Sequence, residues 1–247
     1  MQGTMTTRKV ALVTGANGGI GREIIVELLP QCDVVVANYH KDDSSLVTRL
    51  SQVDDKGASV ERYQADVSDR AAVELMVNSV VDRFGPISVL VNNAGIMIDH
   101  KIEDSDGMLW ERVFSVNLRG AVECTRHVLP NMPRGGCIVN VLSMAAFQGT
   151  APASYVASKS ALWGLTLAAA RELAPRGIRV NAVTPGIIDT PFHSDEAISL
   201  LRAHAKHMIP LGRIGTASNV AHSVAYLVSA DYVTGANIVV SGGAMMS

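Results

Sequence analysis

Seven short runs rich in branched apolar residues recur along the chain, and stretches with helical spacing separate them. The runs are KVALVT (9–14), DVVVAN (33–38), SVERYQA (59–65), ISVLVNN (87–93), CIVNVLS (137–143), IRVNAVT (178–184) and NIVVSG (237–242). Several are apolar at successive positions rather than at every second one, as a strand covered on both faces must be. Amphipathic stretches at 19–29, 43–56, 69–84, 106–131, 154–174 and 217–229 fill the intervals, and Pro175 and Gly177 stop the fifth. Strand and helix repeated this way predict an α/β fold with one doubly wound parallel sheet of about seven strands and helices on both faces. No linker, low-complexity segment or repeat divides the chain, so a single domain over 1–247 is expected. One long region, about 186–213, reads as irregular and loop-rich. An insert of that kind is more often a lid over a site than a spacer.

Bulk properties exclude several classes. With a net charge of −2, 48% hydrophobic and 18% charged residues, the chain has neither the basic excess of a nucleic-acid binder nor an acidic tail. Cys32, Cys124 and Cys137 are scattered and lack CxxC spacing, which speaks against a disulfide framework or zinc site and for reduced thiols in the cytoplasm. His193, His204 and His207 form no metal-ligating pattern and are expected to be solvated, so no metal is expected. The apolar run near the start is too short for a signal peptide, and no apolar window is long enough to span a membrane.

TGANGGIG, Thr14–Gly21, follows the first strand and opens the first helix, with Gly15, Gly19 and Gly21 spaced G-x-x-x-G-x-G. Glycines there let the backbone turn sharply and approach a pyrophosphate, which meets the free N–H groups of the helix N-terminus. A tight strand-to-helix turn would use glycine without any ligand, but the placement favours a dinucleotide. Further on, SYVASKSALWGL sets Tyr155 four residues before Lys159, so both lie on one helix face. A phenol holds its proton to about pH 10. The pair is either surface decoration or an ammonium placed to make the phenol a usable acid and base.

The glycine turn joins NNAG (Asn92–Gly95) after the fourth strand, Asn117 in VFSVNLRG, Ser143, the Tyr155–Lys159 pair, PGIIDT (Pro185–Thr190), and the closing ADYVTGANIVVSGG. Together these resemble the short-chain dehydrogenase/reductase family over essentially the whole chain. The chain is similar in particular to 3-oxoacyl-[acyl-carrier-protein] reductases and related reductases of acyl-thioester ketones. The resemblance implies a Rossmann-type fold and nicotinamide-dependent reduction of a ketone to a secondary alcohol. It implies Tyr155 as general acid and base, Lys159 lowering the phenol's pKa and holding the nicotinamide ribose, Ser143 bonding the substrate oxygen, and Asn117 holding a water near Lys159. Gly15, Asn17, Gly18, Gly19, Ile20 and Gly21 would cradle the pyrophosphate. Asp66 and Val67 would meet the adenine, with N-capping of the next helix left to Ser68. Asn93, Ala94, Gly95, Pro185 and Gly186 would line the cofactor, and Thr190, with the Ile188 backbone, would bind the nicotinamide carboxamide. Met97, Ile98, Leu142, Met144, Phe147, Phe192 and Met208 would line an apolar substrate pocket.

The same resemblance places Asn38 where NAD-type members carry an aspartate, followed by Tyr39, His40 and Lys41. NADP(H) is therefore favoured, with Asn38, Tyr39 and His40 beside the ribose. Gly18, which stands where many NADP-type members have arginine, and the carboxylates of Asp42 and Asp43 keep NAD(H) open. Ser143 and Tyr155 are twelve residues apart, one short of the family's usual spacing, which reshapes the wall of the pocket. Arg134 and Arg176 would dock an acidic acyl carrier protein, and a homotetramer is implied. Leu162, Leu165, Leu167 and the uncharged tail SGGAMMS would be buried between copies. A hydrophobic cyclic ketone or alcohol as substrate, and a non-catalytic dinucleotide sensor, stay open as alternatives.

Overall fold

The computed structural model describes residues 8–42, 44–52 and 57–246. Six strands, β1 (Val10–Val13), β2 (Val34–Tyr39), β3 (Ser59–Gln64), β4 (Ile87–Asn92), β5 (Cys137–Val141) and β6 (Arg179–Pro185), join one parallel sheet. A short parallel pair, β7 (Ile188–Asp189) and β8 (Gly215–Thr216), stands apart, and β9 (Asn237–Val240) completes the large sheet beside β6. The sheet order is β3-β2-β1-β4-β5-β6-β9, so the direction of winding reverses between β1 and β4. Ligands of open parallel sheets bind at that crevice, beyond the carboxyl ends of the strands.

The core explains why the strands read as continuous apolar runs. Ala11 and Val13 of β1 pack with α1 (Gly19–Leu28) and α9 (Ala217–Ser229) through Ile24, Leu28, Val220 and Val224. Val10 and Leu12 point the other way, toward Met76 and Val80 of α3 (Arg70–Phe84) and Val128 of α5 (Gly120–Val128). Alternate residues of one strand thus feed two separate cores, which leaves no polar face. β3 is the edge strand, half-exposed along its length and carrying Glu61 and Arg62, which discourage pairing with another chain.

Several sequence expectations need correction. The region 186–213 is not structureless: α8 (Asp195–Met208) occupies half of it. Ser194 caps that helix by accepting from the Ala197 amide at 3.2 Å, and Ile198 and Ala205 form its buried stripe. The helix read at 106–131 is α4 (Gly107–Phe114), a π-helical turn at Ser115–Arg119, and then α5. The stretch read at 43–56 yields only α2 (Ser44–Leu50), and Asp43 and 53–56 lie outside the described residues. A short α6 (Ala145–Gln148) precedes α7 (Ala153–Leu173). The cap of α3 is Asp69, whose carboxylate accepts from the Ala71 and Ala72 amides, rather than Ser68. Leu162 is buried in its own chain against Ala121, Leu142 and Ala182, so it is not available to a neighbour, whereas Leu167 is exposed. No helix among the described residues is long and apolar enough to cross a membrane.

Candidate active site

The turn between β1 and α1 is built for close approach. Gly15 takes a φ of +63°, and a Cβ there would lie 2.8 Å from the Ala94 Cα. A Cβ on Gly21 would lie 2.3 Å from the Gly15 carbonyl oxygen. Both glycines are therefore demanded by the turn itself, with or without a ligand. Gly18 caps α1, and a Cβ there would meet only the Gly15 oxygen at 3.3 Å. The segment after β4 is fastened to this turn. Thr14 Oγ1 accepts from the Asn93 and Ala94 amides, and Asn93 Nδ2 donates to the Thr14 and Gly15 carbonyls, both at 3.0 Å.

Asn117 sits in the π-helical turn, a deformation that re-aims one side chain. Its Oδ1 accepts from the Ile96 amide at 2.8 Å, and its Nδ2 donates to the Ile96 carbonyl at 2.9 Å and to Ser158 Oγ at 3.0 Å. Ser158 precedes Lys159, whose ammonium donates to the Val141 carbonyl at 2.8 Å. A Cβ on Gly95 would lie 3.3 Å from Lys159 Nζ and 3.4 Å from Asn117 Oδ1, so the three residues form one packed corner.

Burial decides the protonation of the Tyr155–Lys159 pair. Desolvation lowers the Lys159 ammonium to about 8. The same effect raises the Tyr155 phenol above its ordinary value, and a hydrogen bond with Ser143 pulls the other way. Lys159 Nζ lies 6.0 Å from the centroid of the Tyr155 ring. Burial outweighs the Ser143 bond at the phenol, and the lowering expected of Lys159 acts together with the positive charge of an oxidised nicotinamide.

These groups open on one cavity of about 940 Å³. It brings together Gly15, Asn17, Gly18, Gly19, Ile20 and Gly21 with Asn93, Ala94, Gly95, Ser143, Tyr155 and Lys159. Pro185, Gly186, Ile188 and Thr190 form the opposite wall, and a Cβ on Gly19 would lie 2.6 Å from Thr190 Cγ2. Met97, Leu142, Met144, Phe192 and Met208 supply apolar lining. Phe192 stacks at a tilt on Tyr155, with ring centroids 6.1 Å apart. The glycine cradle, the adjoining N-terminus of α1 and the absence of any carboxylate among the described lining residues suit an anionic dinucleotide.

Other expected residues lie elsewhere. Phe147 is exposed on α6, and Gln148, Thr150 and Pro152 line the cavity in its place. Ile98 is outside the lining, and Asn117 stands behind it. Val67 packs against Gly120 at the exit of the π turn. Asp66 holds Ser68 through its amide and hydroxyl and pairs with His40 at 3.3 Å. Tyr39 ends β2 half-buried, away from the cavity.

The expectation for Asn38 fails. It is buried, and its Nδ2 donates to the Ala65 carbonyl at 3.0 Å and the Tyr63 carbonyl at 3.4 Å across the β2–β3 edge. Its amide hydrogens are thereby committed and cannot serve a phosphate. The Asp42 carboxylate accepts from the Ser44 amide and hydroxyl at the start of α2. His193 is half-buried in the cavity wall rather than solvated, and desolvation lowers its pKa. Arg22, Ser45 and Leu201 line the cavity without having been singled out in the sequence. Arg22 was findable, since it follows Gly18 by one helical turn.

Arg134 and Arg176 stand just ahead of β5 and β6, at the sheet end opposite the cavity. Each donates to a backbone carbonyl, Arg134 to Pro175 at 3.2 Å and Arg176 to Leu129 at 2.5 Å. Neither flanks the cavity of its own chain.

Known proteins share this architecture. The family profile described as enoyl-(acyl carrier protein) reductase matches residues 15–245. The 3-oxoacyl-[acyl-carrier-protein] reductase FabG of Staphylococcus aureus is 39% identical over 247 residues, covering 98% of this chain and 100% of its own. That of Thermotoga maritima is 38% identical over 240 residues, covering 95% of this chain and 97% of its own. Among solved structures, a Brucella melitensis short-chain dehydrogenase/reductase, described as a glucose/ribitol dehydrogenase, superposes with a TM-score of 0.88 at 33% identity over 97% of both chains. A blue fluorescent protein from a metagenomic library, solved with NADPH, superposes with a TM-score of 0.87 at 32% identity over 96% of this chain and 98% of its own. The chain is an oxidoreductase and belongs to the short-chain dehydrogenase/reductase family.

Proposed function

We propose that the protein reduces the ketone of a 3-oxoacyl thioester to a secondary alcohol, using NADPH. The observation that carries this reading is the single cavity in which Ser143, Tyr155 and Lys159 meet the glycine turn at one end and apolar side chains at the other. A bound reduced nicotinamide would supply the hydride. Ser143 donates to the substrate oxygen and stabilises the charge that develops there. Tyr155, kept protonated by burial, passes its hydroxyl proton to that oxygen. Lys159 holds the ribose hydroxyls, and with its charge nearby makes the phenolate left behind less costly. Asn117 positions Lys159 through Ser158. Segment 186–213, with α8 at its centre, acts as the lid: Phe192, Leu201 and Met208 close on flexible apolar substrate while Thr190 fixes the carboxamide.

The relatives' names supply the thioester class, and the apolar lining agrees with it. A carrier protein docked at Arg134 and Arg176 would sit at the wrong end of its own chain's sheet, so docking there would serve the cavity of a neighbouring protomer, as a homotetramer could provide. Exposed Leu167 and Met246 support such contacts. Buried free thiols at Cys32, Cys124 and Cys137 fit the cytoplasm.

The test is oxidation of NADPH with a panel of acetoacetyl thioesters, steroids and cyclic diketones, with Tyr155→Phe in parallel. Turnover on the thioesters, abolished in the variant while NADPH still binds, is the expected result. A preference for a cyclic ketone would overturn the substrate class, no turnover on any ketone would overturn the enzyme reading, and near-normal turnover in Tyr155→Phe would overturn the proton donor.

A further inference from the structure

The adenosine end of the cavity has no sequence-assigned cation facing it. Asn38 has spent its donors on strand carbonyls, and His40 is paired with Asp66. Gly18 leaves the cap of α1 without a side chain. Yet the cavity reaches past the glycine turn to Asn17, Ser45 and Arg22. Arg22 and Lys159 are its only lysine or arginine side chains among the described lining residues, and they stand at opposite ends of it.

Arg22 follows Gly18 by four residues, and its amide donates to the Gly18 carbonyl at 3.0 Å. Side chains on a helix tilt toward its N-terminus, so the Arg22 stem leans back over the bare Gly18 position. Its guanidinium reaches α2, where Nη1 lies 3.4 Å from the Ser45 carbonyl oxygen, a long and weak contact. No ion pair joins it to a carboxylate among the described residues, although its charge helps to hold the Glu23 carboxyl below its ordinary value. The neighbouring Glu23 is already held by Arg49 in a two-pronged pair at 2.7 and 2.9 Å. The rim opposite is fixed, because Ser45 Oγ donates to the Asn17 carbonyl at 3.0 Å and Asn17 Nδ2 donates to the Asp42 carbonyl at 2.9 Å. Arg22 is thus a half-buried cation with most of its donors unspent, on the wall of a cavity lined by no acid among the described residues.

We propose that Arg22 is the residue that selects a phosphorylated adenosine ribose, taking the 2′-phosphate of NADPH in preference to the 2′-hydroxyl of NADH. The assignment rests on the reading that the glycine turn holds a dinucleotide. A guanidinium presents two parallel N–H groups that match a phosphate, and a hydroxyl offers it no charge to meet. From the N4 position of α1 the arginine covers the space that a side chain on residue 18 would otherwise fill.

Direct titration of the reduced nicotinamides by their fluorescence, with 2′,5′-ADP and 5′-AMP as competitors, tests this without any ketone. In Arg22→Gln the Kd for NADPH should rise about tenfold to a hundredfold, the range for losing charged hydrogen bonds. The Kd for NADH should stay within about twofold, which also reports an intact fold. Competition by 2′,5′-ADP should weaken in step, and that by 5′-AMP should not. Lys41→Gln, at the exposed strand end, should move the NADPH/NADH ratio far less. An unchanged ratio in Arg22→Gln, an equal loss for both nucleotides, or a ratio controlled by Lys41 would overturn the proposal. A wild-type protein that binds NADH and NADPH equally would overturn it while leaving the dinucleotide reading intact; one that binds neither would overturn both. Failure to reduce any ketone would leave these titrations unchanged and count only against the proposed reaction.

Discussion

Replacing Asn38 by aspartate separates two accounts of the end of β2. If residue 38 faced the ribose, a carboxylate there would repel a 2′-phosphate and turn the protein toward NADH, with little effect on stability. The structure leads elsewhere. Asn38 Nδ2 donates to the Ala65 and Tyr63 carbonyls at 3.0 and 3.4 Å, and the side chain is 1% exposed. Asn38→Asp removes both donors and turns a charge toward two carbonyl oxygens. Each lost bond costs about 1 kcal/mol net, and stranding the buried acceptors adds ~1–3 kcal/mol, which brings the total to ~3–5 kcal/mol. For a chain of this size that is a fall in Tm of roughly 6–20 °C. The pH dependence has a definite sign. Burial raises the introduced carboxyl above its unfolded value, so between the two values the native state binds more protons than the unfolded state and stability falls as pH rises. The variant's deficit should therefore shrink toward acid pH, where the protonated carboxyl can donate to Ala65. Calorimetry at several pH values, with nucleotide titrations alongside, makes the measurement. An unchanged Tm together with an inverted NADPH/NADH ratio would refute the reasoning.

Two further outcomes follow from the site's geometry. The proposed reaction uses Lys159 and Tyr155 both protonated, and the lysine titrates first, at about 8, because burial lowers it while raising the phenol. The kcat/KM for ketone reduction should fall above that pH, and Lys159→Arg, charged throughout, should lack the limb in whatever turnover or NADPH affinity it retains; a limb at the same pH would show that another group titrates. Gly21→Ala should weaken NADPH binding at least tenfold, since its Cβ would sit 2.3 Å from the Gly15 oxygen, whereas Gly18→Ala, with a nearest contact of 3.3 Å, should bind within about twofold of wild type; equal behaviour of the two in a fluorescence titration would remove the steric argument.

The sheet was legible because its strands alternate with helices in a repeating order that few folds accommodate, and the runs at 9–14 and 137–143 each contain an observed strand. The same burial that made those runs conspicuous concealed their orientation. Val34 to Asn38 are all buried, so no polar alternation marks which side chains face the crevice and which face the core. The resemblance therefore sets Asn38 at the ribose, whereas its amide closes the β2–β3 edge. The helix α8 is a different case. Pro191 and Pro210 flank it within an otherwise loop-rich segment, but its signals are present in the sequence: Ser194 as cap, Asp195 and Glu196 in the first turn, and Ile198, Leu201, Ala205 and Met208 at helical spacing.

The candidate site was legible as a set of residue types but not as a division of labour. Thr14, Asn93 and Asn117 sit within or beside motifs that suggest chemistry, yet their polar atoms are spent on the chain itself. Asn93 ties the segment after β4 to the glycine turn, and Asn117 holds both backbone groups of Ile96 as well as Ser158. A π-helical turn supplies the aim of Asn117, and an extra residue in a helical turn leaves no mark in apolar spacing that a continuous helix would not also leave. Arg22 is the converse case. It belongs to no motif, but one turn of helix from a bare cap is enough to bring its charge to the cavity wall. In the proposed reading Arg22, Ser143, Tyr155 and Lys159 act on the ligand while Asn93 and Asn117 hold the scaffold, a division that follows from hydrogen-bond partners and not from membership of a motif.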